Sequence, residues 1–147
     1  MGARKKHTAE KYKEQRKNIS LATLKHYRMS PRKVRLVADQ IRGLEVNEAL
    51  NILRFSPKHA SIEMEKLLYS AIANWQEKNK DVDLETNPIY VKNIYVNSGR
   101  MLKRIQPAPH GRAHRIRKRS SHITIVVDTM VKTNNKEEEK QTQNTEK

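Results

Sequence analysis

Residues 89–131 read IYVKNIYVNSGRMLKRIQPAPHGRAHRIRKRSSHITIVVDTMV, and this stretch decides the fold. Its ends are two β-rich runs, Ile89–Val96 and His122–Val131, the second with Ile123, Ile125 and Val127 alternating onto one face. Between them, residues 99–122 carry eight Lys and Arg, six of them Arg, and no Asp or Glu. The centre of that segment, Gln106-Pro107-Ala108-Pro109-His110-Gly111, is turn chemistry: proline fixes φ and glycine permits positive φ. Folding there pairs Gly99–Ile105 with Arg112–Ser121 into a long basic β-hairpin. Counted to the tip, each half of residues 99–122 is about eleven residues, a reach of roughly 35–40 Å at ~3.3 Å per residue. A two-stranded hairpin is marginal in water, so this one needs a surface to lie against. The alternative is a disordered basic loop in the free protein.

Working outward, Ala22–Met29 alternates as a strand, with Leu21, Thr23, Lys25 and Tyr27 on one side and Ala22, Leu24 and His26 on the other. Ser30–Pro31 is a helix start: serine can accept a bond from a first-turn amide, and proline suits the first helical position. Val34, Val37, Ala38 and Ile41 follow at helical spacing and Gly43 stops the helix. Val46, Ala49, Leu50 and Leu53 form a second short stripe. Ser56–Pro57 repeats the start signal and opens the longest helix, striped by Ala60, Met64, Leu67, Leu68, Ala71, Ile72 and Trp75. Residues 79–87 form a polar connection before Pro88. The order β-α-α-α-β-β specifies an α+β domain: three helices packed on a small antiparallel sheet, with a long protruding basic hairpin. Residues 1–19 read as a flexible basic extension, 20–131 as one domain, and 132–147 as a disordered polar tail.

The whole chain of 147 residues carries 31 Lys and Arg against 16 Asp and Glu, a net charge of +15. That charge is unevenly placed. Residues 1–18 hold seven basic and two acidic side chains, 19–98 twelve and nine, and 132–147 four and four. The middle is nearly neutral, and 99–122 holds more than half the excess. Such a balance calls for a polyanionic partner. Apolar runs such as Ile123–Val127 are far short of a bilayer span, and the N-terminus lacks the apolar stretch of a secretory signal. With Glu10, Glu14 and almost no apolar face, it also makes a poor mitochondrial presequence. The absence of cysteine excludes disulfides and thiolate metal sites and fits a reducing compartment.

Nucleic acid is therefore the expected partner. Arginine, which forks onto phosphate and stacks on bases, outnumbers lysine in the arm. His110, His114 and His122 have a loose metal-like spacing, but prolines, Gly111 and neighbouring cations work against a bound cation. Asp39, Glu45 and Glu48 read as solvated helix charges, and no nucleophile-plus-base set or phosphate-cradling glycine loop supports an enzyme. Charge and hairpin alone also fit an architectural DNA-binding protein with a proline-tipped arm. A membrane-surface protein would need an amphipathic basic helix, against which the low aromatic content and the Pro/Gly breaks argue.

Three separated motifs carry a family resemblance. They are Ser30-Pro31-Arg32-Lys33-Val34-Arg35-Leu36-Val37-Ala38-Asp39-Gln40-Ile41-Arg42-Gly43, then Ser70-Ala71-Ile72-Ala73-Asn74, then the hairpin pieces Met101–Ile105, Gly111–Ala113 and Lys118–Ile123. In order and spacing, residues 20–128 resemble the bacterial large-subunit ribosomal protein L twenty-two family. The resemblance implies a cytoplasmic structural protein of the large subunit with no cofactor and no catalysis. It implies a body near the exit of the peptide tunnel and a hairpin that threads between several domains of the large (23S) rRNA. Neighbouring ribosomal proteins and the nascent polypeptide are the other implied partners, with no membrane and no small-molecule substrate, although macrolides bind close to that region.

On these matches the RNA-binding residues are Arg28, Arg32, Lys33, Arg35, Arg100, Lys103, Arg104, Arg112, Arg115, Arg117, Lys118, Arg119 and His122. The tunnel wall falls to Met101, Lys103, Arg104, Gln106, Pro107, Ala108, Pro109 and His110. The tip departs from the family pattern: Ala108, Pro109 and His110 stand where the family commonly carries Arg and Lys around a central Ala, so up to two positive charges are missing.

Overall fold

The computed structural model describes residues 3–80 and 87–129. In chain order the elements are α1 (Ala3–Asn18), β1 (Ser20–Tyr27), α2 (Pro31–Ile41), α3 (Val46–Phe55), α4 (His59–Lys78), β2 (Ile89–Ser98), β3 (Leu102–Pro107), a 3₁₀ turn (Pro109–Gly111), β4 (Ala113–Lys118) and β5 (Ser121–Thr129). The fold is α+β. Helices α2, α3 and α4 cover a sheet of order β1-β5-β2, antiparallel throughout, and β3 pairs with β4 as a separate two-stranded sheet. Helix α1 is additional to the three helices read from the sequence. The tail 132–147 and most of the 79–87 connection lie outside the described residues.

Strand β5 takes the centre of the sheet, and its alternation is the most regular of the three. Ile123, Ile125 and Val127 are buried along one face. Facing them are Val34, Val37, Ala38 and Ile41 of α2, Ala49 and Leu53 of α3, and Met64, Leu68, Ala71 and Trp75 of α4, all buried. Each fully buried aliphatic side chain stabilises the fold by ~1.5–3 kcal/mol relative to exposure. Leu50 and Ile72, placed in the stripes by spacing, pack on this core while only partly buried.

Two bulges correct the simple alternation. In β2 the register shifts between Val91 and Asn93, so Ile89 and Val91 point inward and, one residue out of phase, so do Ile94 and Val96. Lys92 is left facing solvent, with its Nζ 2.7 Å from Asp128 Oδ2. In β1 the register shifts between Leu24 and Tyr27, and His26 has φ 59°. The shift turns Tyr27 onto the core beside Leu24, whereas strict alternation puts it on the opposite face from Ala22 and Leu24.

The helix starts also differ from expectation. Ser30 precedes α2 with Pro31 at its first turn, but the Ser30 side chain makes no capping bond; its carbonyl accepts Lys33 N–H at 3.0 Å. Ser56 closes α3 rather than opening α4, which begins after Lys58. Gly43 behaves as read: with φ 81° it ends α2, and its N–H donates to Val91 O at 2.9 Å. Leu44 O in turn accepts the Val91 N–H at 2.9 Å, which covers part of an otherwise open sheet edge. On the other side, Asn74 Nδ2 donates to Leu21 O at 3.0 Å and Lys78 Nζ to Ile19 O at 2.6 Å, tying α4 to β1.

Candidate RNA-binding hairpin

Strands β2 and β5 run side by side to the pair Ser98–Ser121, and the chain then narrows into the arm. At this root Gly99 N–H donates to Ser120 O at 2.8 Å and Ser120 Oγ to Arg100 O at 2.6 Å. A Cβ on Gly99 would stand 2.6 Å from Ser120 Oγ and 3.1 Å from His122 Nε2, so only glycine fits the present root. His122 Nδ1 accepts the His26 N–H at 3.0 Å, and the two rings meet edge to face at 4.7 Å. His122, expected to meet RNA, thus also helps join the root to the β1 bulge.

Beyond the root, β3 and β4 pair from Leu102–Lys118 to Pro107–Ala113. With six residues in each strand the ladder spans roughly 20 Å at ~3.3 Å per residue, shorter than the full arm read from the sequence. At the tip, Ala108 N–H donates to Arg112 O at 2.9 Å and Arg112 N–H to Pro109 O at 3.4 Å. His110 (φ 60°, ψ 33°) and Gly111 (φ 69°) both take the left-handed conformation, as a tight hairpin reversal requires. The Pro/Gly centre therefore turns where its chemistry said it would.

Every residue of β3 and β4 is exposed, on both faces of the ribbon. Opposed residues share a face and successive ones alternate. One face carries Leu102, Lys118, Arg104 and Ile116; the other carries Lys103, Arg117, Ile105 and Arg115. Both faces are cationic, each with aliphatic patches among the charges. Lys103 and Arg117 stand directly opposite each other, a repulsive cross-strand pair. The three ion pairs among the described residues, Asp39–Arg42, Glu63–Lys66 and Lys92–Asp128, all lie elsewhere.

Four of the other candidate cations gather beside the root. Arg32, Lys33 and Arg35 of α2 come together with Arg119, Ser30 and Ser98 around a cleft of about 370 Å³ that no carboxylate lines. Sequence spacing gave no hint that Arg119 joins the α2 set, nor that Ser98 belongs there. Arg35 is partly committed, since its Nη2 donates to Val96 O at 2.9 Å and its Nε to the same oxygen at 3.3 Å. Arg28, Arg100 and Arg112 are exposed, as are Met101, Gln106, Pro107, Pro109 and His110; Ala108 is half-buried. Among the described residues no group of three His, Cys, Asp or Glu could hold a metal, and no helix is long and apolar enough to cross a membrane.

Residues 22–128 match the family model of ribosomal protein L22p/L17e. The chain belongs to this family. Curated relatives agree across almost its whole length. The large ribosomal subunit protein uL22 of Christiangramia forsetii is 57% identical over 127 residues, covering 86% of this chain and 94% of its own. The protein of the same name from Flavobacterium johnsoniae is 58% identical over 127 residues, 86% of this chain and 93% of its own. That from Bacteroides fragilis is 54% identical over 138 residues, 94% of this chain and 99% of its own. Membership of the L22p/L17e family makes the chain a structural ribosomal protein and not an enzyme. The matched span takes in α2, α3, α4, the sheet as far as Asp128 and the complete hairpin, and it begins after α1.

Proposed function

We propose that the protein is a cytoplasmic structural constituent of the large ribosomal subunit whose hairpin threads between segments of the large (23S) rRNA. One observation carries this reading: the arm is cationic and solvent-exposed on both faces and contains no acidic residue. A ribbon lying on a flat RNA surface would need cations on one face only. Lys103, Arg115 and Arg117 would meet phosphates on one side, and Arg104 and Lys118 on the other. Release of counterions from those phosphates supplies the free energy that orders an otherwise self-repelling ribbon.

The cleft of Arg32, Lys33, Arg35 and Arg119 would grip further backbone at the root, with Arg28, Arg100 and His122 along the same path, while Arg112 would meet RNA at the far end of the arm. An arm held between separate segments joins them, which is how it would link several rRNA domains during assembly. The tip, from Gln106 to His110 with Met101, Lys103 and Arg104 behind it, would form part of the tunnel wall, passed by the nascent polypeptide and close to where macrolides bind. The neutral Ala108 and Pro109 leave that tip freer to face the lumen than the shanks. Neighbouring ribosomal proteins would pack against the body.

The test is binding of the full chain to large-subunit rRNA across a salt titration, beside a variant carrying Lys103→Gln, Arg104→Gln, Arg115→Gln and Arg117→Gln. The variant's salt slope is expected to fall by ~0.7–0.9 for each phosphate it no longer neutralises. An unchanged slope would place the electrostatics in the body. Equal affinity of the wild-type chain for random duplex DNA would favour an architectural DNA-binding protein instead.

A further inference from the structure

Helix α1 takes no part in the hairpin or its root. It spans Ala3–Asn18, roughly 24 Å at ~1.5 Å per residue, and lies outside the residues that match the family model. It holds seven Lys and Arg against Glu10 and Glu14. From Arg4 to Glu14 every side chain is exposed, and there is no apolar stripe to bury. A helix polar all round is not stable by its own packing, and one of this length is marginal in water.

The charges are nevertheless ordered. At helical spacing Glu10 and Glu14 share one stripe, Arg4 and Lys11 a second, and Lys6 and Lys13 a third. Opposite the acidic stripe, between the two basic ones, Lys5 and Tyr12 lie together, with Tyr12 68% exposed. An aromatic ring flanked by cations suits nucleic acid, where the ring stacks on a base or sugar and the cations take phosphates. The same helix offers a membrane nothing to insert. The acidic stripe would orient the helix by turning its own side away from the phosphates.

We infer that α1 is a second RNA-binding element, which lays its Lys5–Tyr12 face against ribosomal RNA and is held helical by that docking. The inference rests on ribosomal RNA being the partner of the hairpin. The test uses the full chain, with wild type compared against a Lys5→Gln, Lys6→Gln, Lys11→Gln, Lys13→Gln variant in salt-titrated binding to large-subunit rRNA. The variant is expected to melt at the wild-type temperature and to show a salt slope smaller by about two or more, at ~0.7–0.9 per phosphate. Tyr12→Ala should weaken binding ~5-fold or more at an unchanged slope. Wild-type affinity and slope in the lysine variant would overturn the inference while leaving the hairpin reading intact. Failure of the wild-type chain to bind rRNA at all would instead remove the shared premise. Equal competition by polyglutamate for the α1 surface would show an acidic-protein site and overturn it too.

Discussion

Gly99 sits where the sheet becomes the arm, and its lack of a side chain lets the two strands close on each other. Adding one carbon there meets Ser120 Oγ, which is already tied to Arg100 O. Gly99→Ala should therefore cost ~1–3 kcal/mol, as overpacking does, and should re-aim the arm. The check is a lowered melting temperature together with weakened NMR cross-peaks between the two strands at the root; an unchanged melting curve would mean the root is looser than these distances imply. Tyr27 offers a contrasting case. Its hydroxyl is buried and finds no hydrogen-bond partner among the described residues, and burial first, then Glu63, raises its pKa above the usual 10.0. A raised phenol pKa means that folding favours the neutral form. That contribution is complete below pH 10 and lost as the pH climbs through the raised value. Tyr27→Phe should melt at the wild-type temperature or slightly above it at neutral pH, because an unsatisfied polar atom is removed. Above pH 10 it should hold its stability better than wild type, and urea melts across pH 8–11 would show the divergence.

The elements differ in how much of themselves they write into the sequence. Helices α2 and α4 and strand β5 were legible because burial of one face leaves a period: Val34, Val37, Ala38 and Ile41, or Ile123, Ile125 and Val127. The bulges at His26 and Lys92 were not, since one extra residue shifts the phase and resembles a break in the pattern. Helix α1 was invisible for a related reason, because a helix that buries nothing leaves no stripe to read. The hairpin was legible through charge and turn chemistry instead, and its tip reverses at the Pro/Gly centre as read. What charge could not show was that both faces of the ribbon are basic, or that Arg119 meets the α2 cations at the root. Since no residue of β3 or β4 belongs to the core, replacing residues 101–119 by a two-residue Asn-Gly turn should leave the body folded. Its melting temperature should move by only a few degrees; collapse of the fold would show that the arm supports the core.

At the scale of the molecule, the chain divides between a body held by an apolar core and an exposed arm that contributes nothing to that core. The near-neutral middle of the sequence supplies the first, and residues 99–122 supply the second. Such a division suits an assembly in which RNA completes the fold of the protein while the protein holds separate RNA segments together. The most direct measurement is an RNA crosslink map of the protein within purified large subunits, read residue by residue. Crosslinks to large-subunit rRNA along both shanks, Leu102–Pro107 and Ala113–Lys118, thinning at Ala108 and Pro109, are the predicted result. Crosslinks confined to the body, with the shanks silent, would contradict the account.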